Sequence, residues 1–232
     1  MPVLELVQAA RHYRLSPDEG AWIARIEQER TRLERSDHVL RTPRSLFSLD
    51  PTDEVVLERT VQEFCRTSSK PKRAATMLFA LVRLLRPELV LEMGTGVGIS
   101  AAYQGAALSL NGGGRLITVE GSPASAEVAR DVVDRLSLSD TVESRIGLFD
   151  KVVPEVLADG GPGYVFIDGE HAEKATLRHF ELVEPHLVPP GIVVFDDIGW
   201  SDGMKRAWSR LRQDDRVVGS TDAYGMGLSV YR

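Results

Sequence analysis

The chain has 232 residues, 43% of them hydrophobic and 27% charged, with a formal net charge of −6. This is the ordinary make-up of a soluble globular protein of one domain, or of one domain with an appendage. No apolar run is long enough to cross a bilayer, both halves are too acidic for a nonspecific nucleic-acid surface, and a single cysteine, Cys65, excludes an intrachain disulfide.

The first residues, Met1-Pro2-Val3-Leu4, lack the basic start and apolar core of a secretory leader, so a cytoplasmic setting is expected. Residues 1–70 read as a helical N-terminal extension, serving as a substrate cap or a homodimer contact. Ser16-Pro17-Asp18-Glu19 is a strong helix start, with a cap residue, a proline at the first helical position and an acid at the third. Arg41 to Ser45 reads as a loop, and Thr52 to Arg66 as a helix with Val55, Val56, Leu57, Val61 and Phe64 on its apolar side. The basic cluster Lys70-Pro71-Lys72-Arg73 reads as a solvated or substrate-facing edge. A helix over Pro71 to Leu85 follows.

From Glu88 onward strands and helices alternate, with strands near 88–93, 114–120, 141–146, 163–168, 190–196, 215–220 and 226–231. Helices fill the gaps near 98–110, 122–137, 149–158, 172–185 and 202–213. The pattern predicts an α/β fold over residues 71–232, a Rossmann-like seven-stranded, mostly parallel sheet covered on both faces. The last two strands leave no room for a helix between them, so an antiparallel C-terminal hairpin is predicted with 221–225 as its connection.

The most informative stretch is Val90-Leu-Glu-Met-Gly-Thr-Gly-Val-Gly-Ile-Ser100. A buried strand ends in an acid, Glu92, and opens through Gly94, Thr95, Gly96 and Gly98 into a helix at Ser100. Missing Cβ atoms let the backbone turn sharply and let a ligand lie against it. A helix start aims free N–H groups and a positive dipole end at that ligand. The dinucleotide fingerprint needs a sixth-position glycine, where this chain has Ile99, and a phosphate-binding loop needs a lysine that is missing. The remaining pattern resembles motif I of the class I S-adenosylmethionine (SAM)-dependent methyltransferases. A second strand ends at Glu120, 26 residues after Gly94, where an acid can accept both hydroxyls of a ribose. A ligand-free glycine turn and a solvated strand-end acid are the plain alternatives.

Ligands of open parallel sheets bind at the carboxyl ends of the strands. The fourth strand of the sheet ends at Asp168, followed by Gly169-Glu170-His171, and the fifth at Asp196-Asp197. Three clustered carboxylates call for a cation or a proton, and Mg²⁺ favours such oxygens. For Asp196 and Asp197, turn formation and helix capping are the alternative.

Val90 to Gly98, Phe166 to His171 and Leu187 to Asp197 together resemble bacterial small-molecule O-methyltransferases, relatives of the catechol, caffeoyl-CoA and macrolide-sugar enzymes. The resemblance covers Met77 to the C-terminus. It implies SAM as cofactor, held by the glycine loop and Glu120, with Gly147, Leu148 and Phe149 packing the adenine; Phe149 is equally readable as core. It implies a small hydroxylated acceptor, and Mg²⁺ on Asp168, Asp196 and Asp197. The last is Asp where that group has Asn. The group's catalytic lysine falls near His171, which leaves His171 as the expected base beside Asp168; a metal-independent enzyme using His171, or a noncatalytic SAM-binding protein on the same fold, is the runner-up. His179 and His186 read as structural, and Trp200, Trp208 and Tyr224 as residues of a substrate pocket or of packing.

Overall fold

The computed structural model describes residues 3–44, 55–158 and 160–232. Two helices come first, α1 (Val3–Arg11) and α2 (Pro17–Leu33). The Ser16 hydroxyl accepts from the Glu19 N–H while the Glu19 carboxylate accepts from the Ser16 N–H, a complete capping box.

The next segment differs from the sequence expectation. Arg41 to Pro43, read as loop, belong to a strand, β1 (Val39–Pro43), which pairs as an antiparallel ribbon with β2 (Val56–Thr60), read as helix. Val55 and Val56 are β-branched and suit a strand. The helix α3 starts only at Val61 and ends at Ser68, because Thr60 and Glu63 form a second capping box at that point. The remainder of the expected helix, residues 52–54, and Ser45 of the expected loop lie outside the described residues. The appendage is therefore helical and stranded, not purely helical.

The main sheet follows in alternation: α4 (Lys72–Leu85), β3 (Leu89–Met93), α5 (Ile99–Asn111), β4 (Arg115–Glu120), α6 (Pro123–Arg135), β5 (Val142–Ile146), α7 (Phe149–Leu157), β6 (Tyr164–Ile167), α8 (Glu173–Val183), β7 (Gly191–Phe195), α9 (Asp202–Leu211), β8 (Val217–Ala223) and β9 (Met226–Tyr231). The strand order is β5-β4-β3-β6-β7-β9-β8, with β3 to β7 parallel and β9 antiparallel to both its neighbours. The hairpin turn is shorter than 221–225: β8 runs on to Ala223, and Tyr224-Gly225 turns with φ of 54° and 81°.

Every residue of β3, β6 and β7 is buried, as a sheet covered on both faces requires. One apolar cluster joins α4, α5 and one sheet face to Val3, Leu6, Ile23, Ile26, Leu33 and Leu40 of the appendage. The other joins the opposite face to α7, α8 and α9. The first 70 residues thus share a core with the sheet. From β3 the chain winds outward through β4 to β5 and then returns to β6 on the other side of β3. The tips of β3 and β6 are the topological switch point, where open α/β sheets place their ligands.

Candidate functional site

At that switch point Gly94 follows β3 with φ of 108°, in the left-handed region that glycine tolerates. A Cβ there would overlap the Asp168 carbonyl, so the two strand tips touch backbone to backbone. Gly98 caps α5 with φ of 87°, and its Cβ would stand 2.9 Å from Ala129 Cα of α6. The same loop faces α3: a Cβ on Gly96 would meet the Phe64 ring at 2.9 Å.

Glu120 at the tip of β4 accepts from the Gly96 N–H through one oxygen and from the Ser122 N–H through the other, each at 2.8 Å. Burial raises its pKa, and these backbone bonds oppose the rise. Glu120 is therefore oriented toward the cleft by the glycine loop itself. Glu92 has a different position. It is fully buried and accepts from Gln104 Nε2 and Thr118 Oγ1, at 2.8 and 2.6 Å. Both oxygens are taken by side chains, so Glu92 supports the loop from beneath and does not face the cleft. Burial pushes it up to about 7. Thr95 is tied to Thr118 at 2.6 Å, and Ser100 is buried in the first turn of α5.

The cleft encloses about 1220 Å³. One drug-sized ligand needs roughly 300–1,000 Å³, so there is room for a cofactor and a second small molecule. Gly94, Glu120, Gly147, Leu148, Phe149, Asp168 and His171 all line it. Phe149 stands edge-on to His179, with ring centroids 4.9 Å apart. His179, read as structural, lines the same wall, and burial pushes it down to about 4, so it is neutral. His186 is exposed. The opposite wall comes from the appendage: Leu40, Thr42, Leu57, Arg59 and Phe64. Of the two readings for the aromatic residues, the substrate pocket is not the one the structure shows. Trp200 is 74% exposed, Trp208 is buried against Gly227 and donates to Asp222, and Tyr224 is stacked by Arg11 and Arg73. None of the three lines the cleft.

Asp168 and His171 of the same cleft belong to an acid cluster. Asp168, His171 and Asp196 each offer a ligand atom, and these atoms lie within 4.8 Å of one another. His171 Nε2 is 3.6 Å from Asp168 Oδ1 and 3.6 Å from Asp197 Oδ2. Burial and the neighbouring Asp196 push Asp168 well above the usual carboxylate range. Asp197 sits in the left-handed region with φ of 49° and turns the chain toward Trp200.

The sequence reading missed one member of this cluster. Lys70, expected on a solvated or substrate-facing edge, is buried, and its ammonium pairs with Asp196 Oδ2 and stands 3.8 Å from Asp197 Oδ1. Burial alone would lower its pKa, but Asp168 and Asp196 outweigh that and leave it raised. Asp196 Oδ1 is buried without a partner. The only hint in the sequence was the vacancy that the lysine of the resembling group left at His171.

A family model described as "Methyltransferase domain" matches residues 91–198. The catechol O-methyltransferase of Niastella koreensis is 34% identical over 125 residues, 53% of this chain and 54% of that protein. The chain thus spans about half the length of that curated relative. Among solved structures, an O-methyltransferase from Bacillus cereus in complex with SAH superposes with a TM-score of 0.64 at 22% identity, over 72% of this chain and 84% of that one. The O-methyltransferase TomG from Streptomyces achromogenes, in complex with SAM, gives 0.64 at 17% identity over 99% and 96%. At these identities the structures establish the fold.

Proposed function

We propose that this chain, whose residues 91–198 match the methyltransferase-domain model, transfers the methyl group of SAM to a hydroxyl of a small molecule. The observation that carries this reading is the joint anchoring of the glycine loop and Glu120 in a cleft that Asp168 and His171 also line. Gly94 offers main chain to the amino-acid part of SAM, while Gly96 and Gly98 let the loop pack on Phe64 and on Ala129 of α6. Glu120 receives the ribose, and Gly147, Leu148 and Phe149 the adenine. The β1–β2 ribbon and α3 form the substrate cap.

Methyl transfer is an in-line displacement: the acceptor oxygen forms a bond to the methyl carbon as the carbon–sulfur bond breaks, and the sulfur keeps the electron pair. Alignment in the cleft can supply roughly 7–11 kcal/mol of the barrier in favourable cases. The hydroxyl proton goes to His171. The imidazolium so formed lies 3.6 Å from both Asp168 and Asp197, which stabilise its charge.

Mg²⁺ is the finer expectation. The convergent ligand atoms and the unpartnered Asp196 Oδ1 support it. The donor set as it stands opposes it. Lys70 already pairs with Asp196 and approaches Asp197, two of the three carboxylates such an ion would take. Two unit charges about 4 Å apart interact by about 4 kcal/mol at an effective dielectric constant of about 20, and a dication doubles that repulsion. The residues therefore do not fit a divalent ion while Lys70 holds its place, and no step is assigned to one.

Calorimetry with SAM and with S-adenosylhomocysteine, followed by methylation of a panel of catechols and sugars, tests the reading. We expect measurable heat with both nucleosides, and a loss of about 10²–10⁴-fold in kcat for His171→Ala. Absence of heat with either compound would remove the foundation of the proposal.

A further inference from the structure

The acid cluster carries its own cation. Lys70 reaches it from outside the sheet, 126 positions before Asp196 in the chain, and is nine-tenths buried. Its backbone is held in place: Arg30 Nη2 of α2 donates to the Lys70 carbonyl at 2.8 Å, and Pro71 follows at the head of α4. The residue before a proline is kept extended, so the side chain leaves the chain in a set direction. Its ammonium meets Asp196 Oδ2 and faces Asp197 Oδ1. Those two side chains are the ones the resemblance assigns, with Asp168, to a divalent ion. An ammonium is a compact point charge with three donors, and the three carboxylates Asp168, Asp196 and Asp197 are the acceptors of its charge at this position.

We propose that Lys70 takes the place of the divalent ion of catechol-type relatives, as a permanent tethered cation, and that this chain works without bound metal. Lys70 is then a positioning residue, fixing Asp196 and Asp197 beside His171. The consequence for turnover rests on the methyl-transfer reading above; the metal-binding consequence does not.

Mn²⁺ is the probe. The full-length chain, with S-adenosylhomocysteine present, is titrated with Mn²⁺ and the free ion is read by electron paramagnetic resonance. The wild type is expected to leave Mn²⁺ free, and Lys70→Ala to take up about one ion per chain, because the unneutralised acids then form an oxygen site. In parallel, chelation by EDTA is expected to leave wild-type turnover unchanged. Lys70→Met is expected to lower kcat by roughly tenfold or more with little change in KM for SAM, and Lys70→Arg, which keeps the charge, to recover part of it. Tight Mn²⁺ binding by the wild type, or its inactivation by EDTA, overturns the proposal, and neither measurement depends on a variant folding. A Lys70→Ala protein with wild-type circular dichroism that takes up no Mn²⁺ overturns it as well. A failure to bind SAM or its product would instead strike the methyl-transfer reading and leave the Mn²⁺ result standing.

Discussion

Glu92 shows how a single carboxyl can tie stability to pH. It is held between Gln104 and Thr118 in the interior, where burial raises it to about 7 from an ordinary 4.5. The folded state therefore holds this proton more tightly than the unfolded chain. Its contribution is complete below pH 4.5 and is lost as pH rises through 7. The shift corresponds to a loss on the order of 3 kcal/mol across that window. Glu92→Gln keeps the shape and removes the titration. Urea unfolding at pH 5 and pH 8 should show this component in the wild type and not in the variant; equal slopes would refute the assignment. At the same scale, sequence alone brought out Glu120, Asp168 and His171, because each ends or follows a strand at recognisable spacing. It did not separate Glu92 from them. An acid in a motif looks the same whether it faces a cleft or a core, and only its partners distinguish the two. Lys70 was invisible for another reason: nothing local couples positions 70 and 196.

Elements were legible where their ends carry chemistry. The capping box of Ser16 and Glu19 fixes the start of α2, and it was read correctly. Removing it through Ser16→Ala should cost about 1 kcal/mol, read as a lowered midpoint in thermal or urea unfolding. No change would mean that the further bonds of Glu19 to Tyr13 and Arg83 hold the helix start without the cap. The β1–β2 ribbon was not legible. Its two short strands are paired only with each other, and the run at Val55 to Leu57 fits an amphipathic helix as well as a strand until Thr60 ends it. For short apolar runs the tertiary partner decides. The parallel strands of the main sheet were easier, since uninterrupted burial on both faces leaves continuous apolar runs.

For the whole molecule, the change of sequence character near residue 70 is not a gap in the core. Ten buried apolar residues of the appendage, from Val3 to Cys65, belong to the same cluster as α4 and α5. Burying a large apolar side chain contributes about 1.5–3 kcal/mol, and a domain's net stability is only about 5–15 kcal/mol. A chain of residues 71–232 alone should therefore fail to form a compact monomer. Gel filtration and limited proteolysis would show it aggregated or rapidly cleaved; a protease-resistant monomer would show that the sheet stands by itself. The appendage also reaches the glycine turn. Phe64 of α3 closes on Gly96, and the hydroxyls of Thr42 and Ser122 share a buried hydrogen bond of 2.7 Å just beyond Glu120. On the proposed reading, the wall that would meet the acceptor is thereby latched to the wall that would meet the methyl donor. Under that reading, acceptor preference and donor affinity are coupled: a substitution that reshapes the ribbon to admit a new alcohol should also change the affinity for the nucleoside.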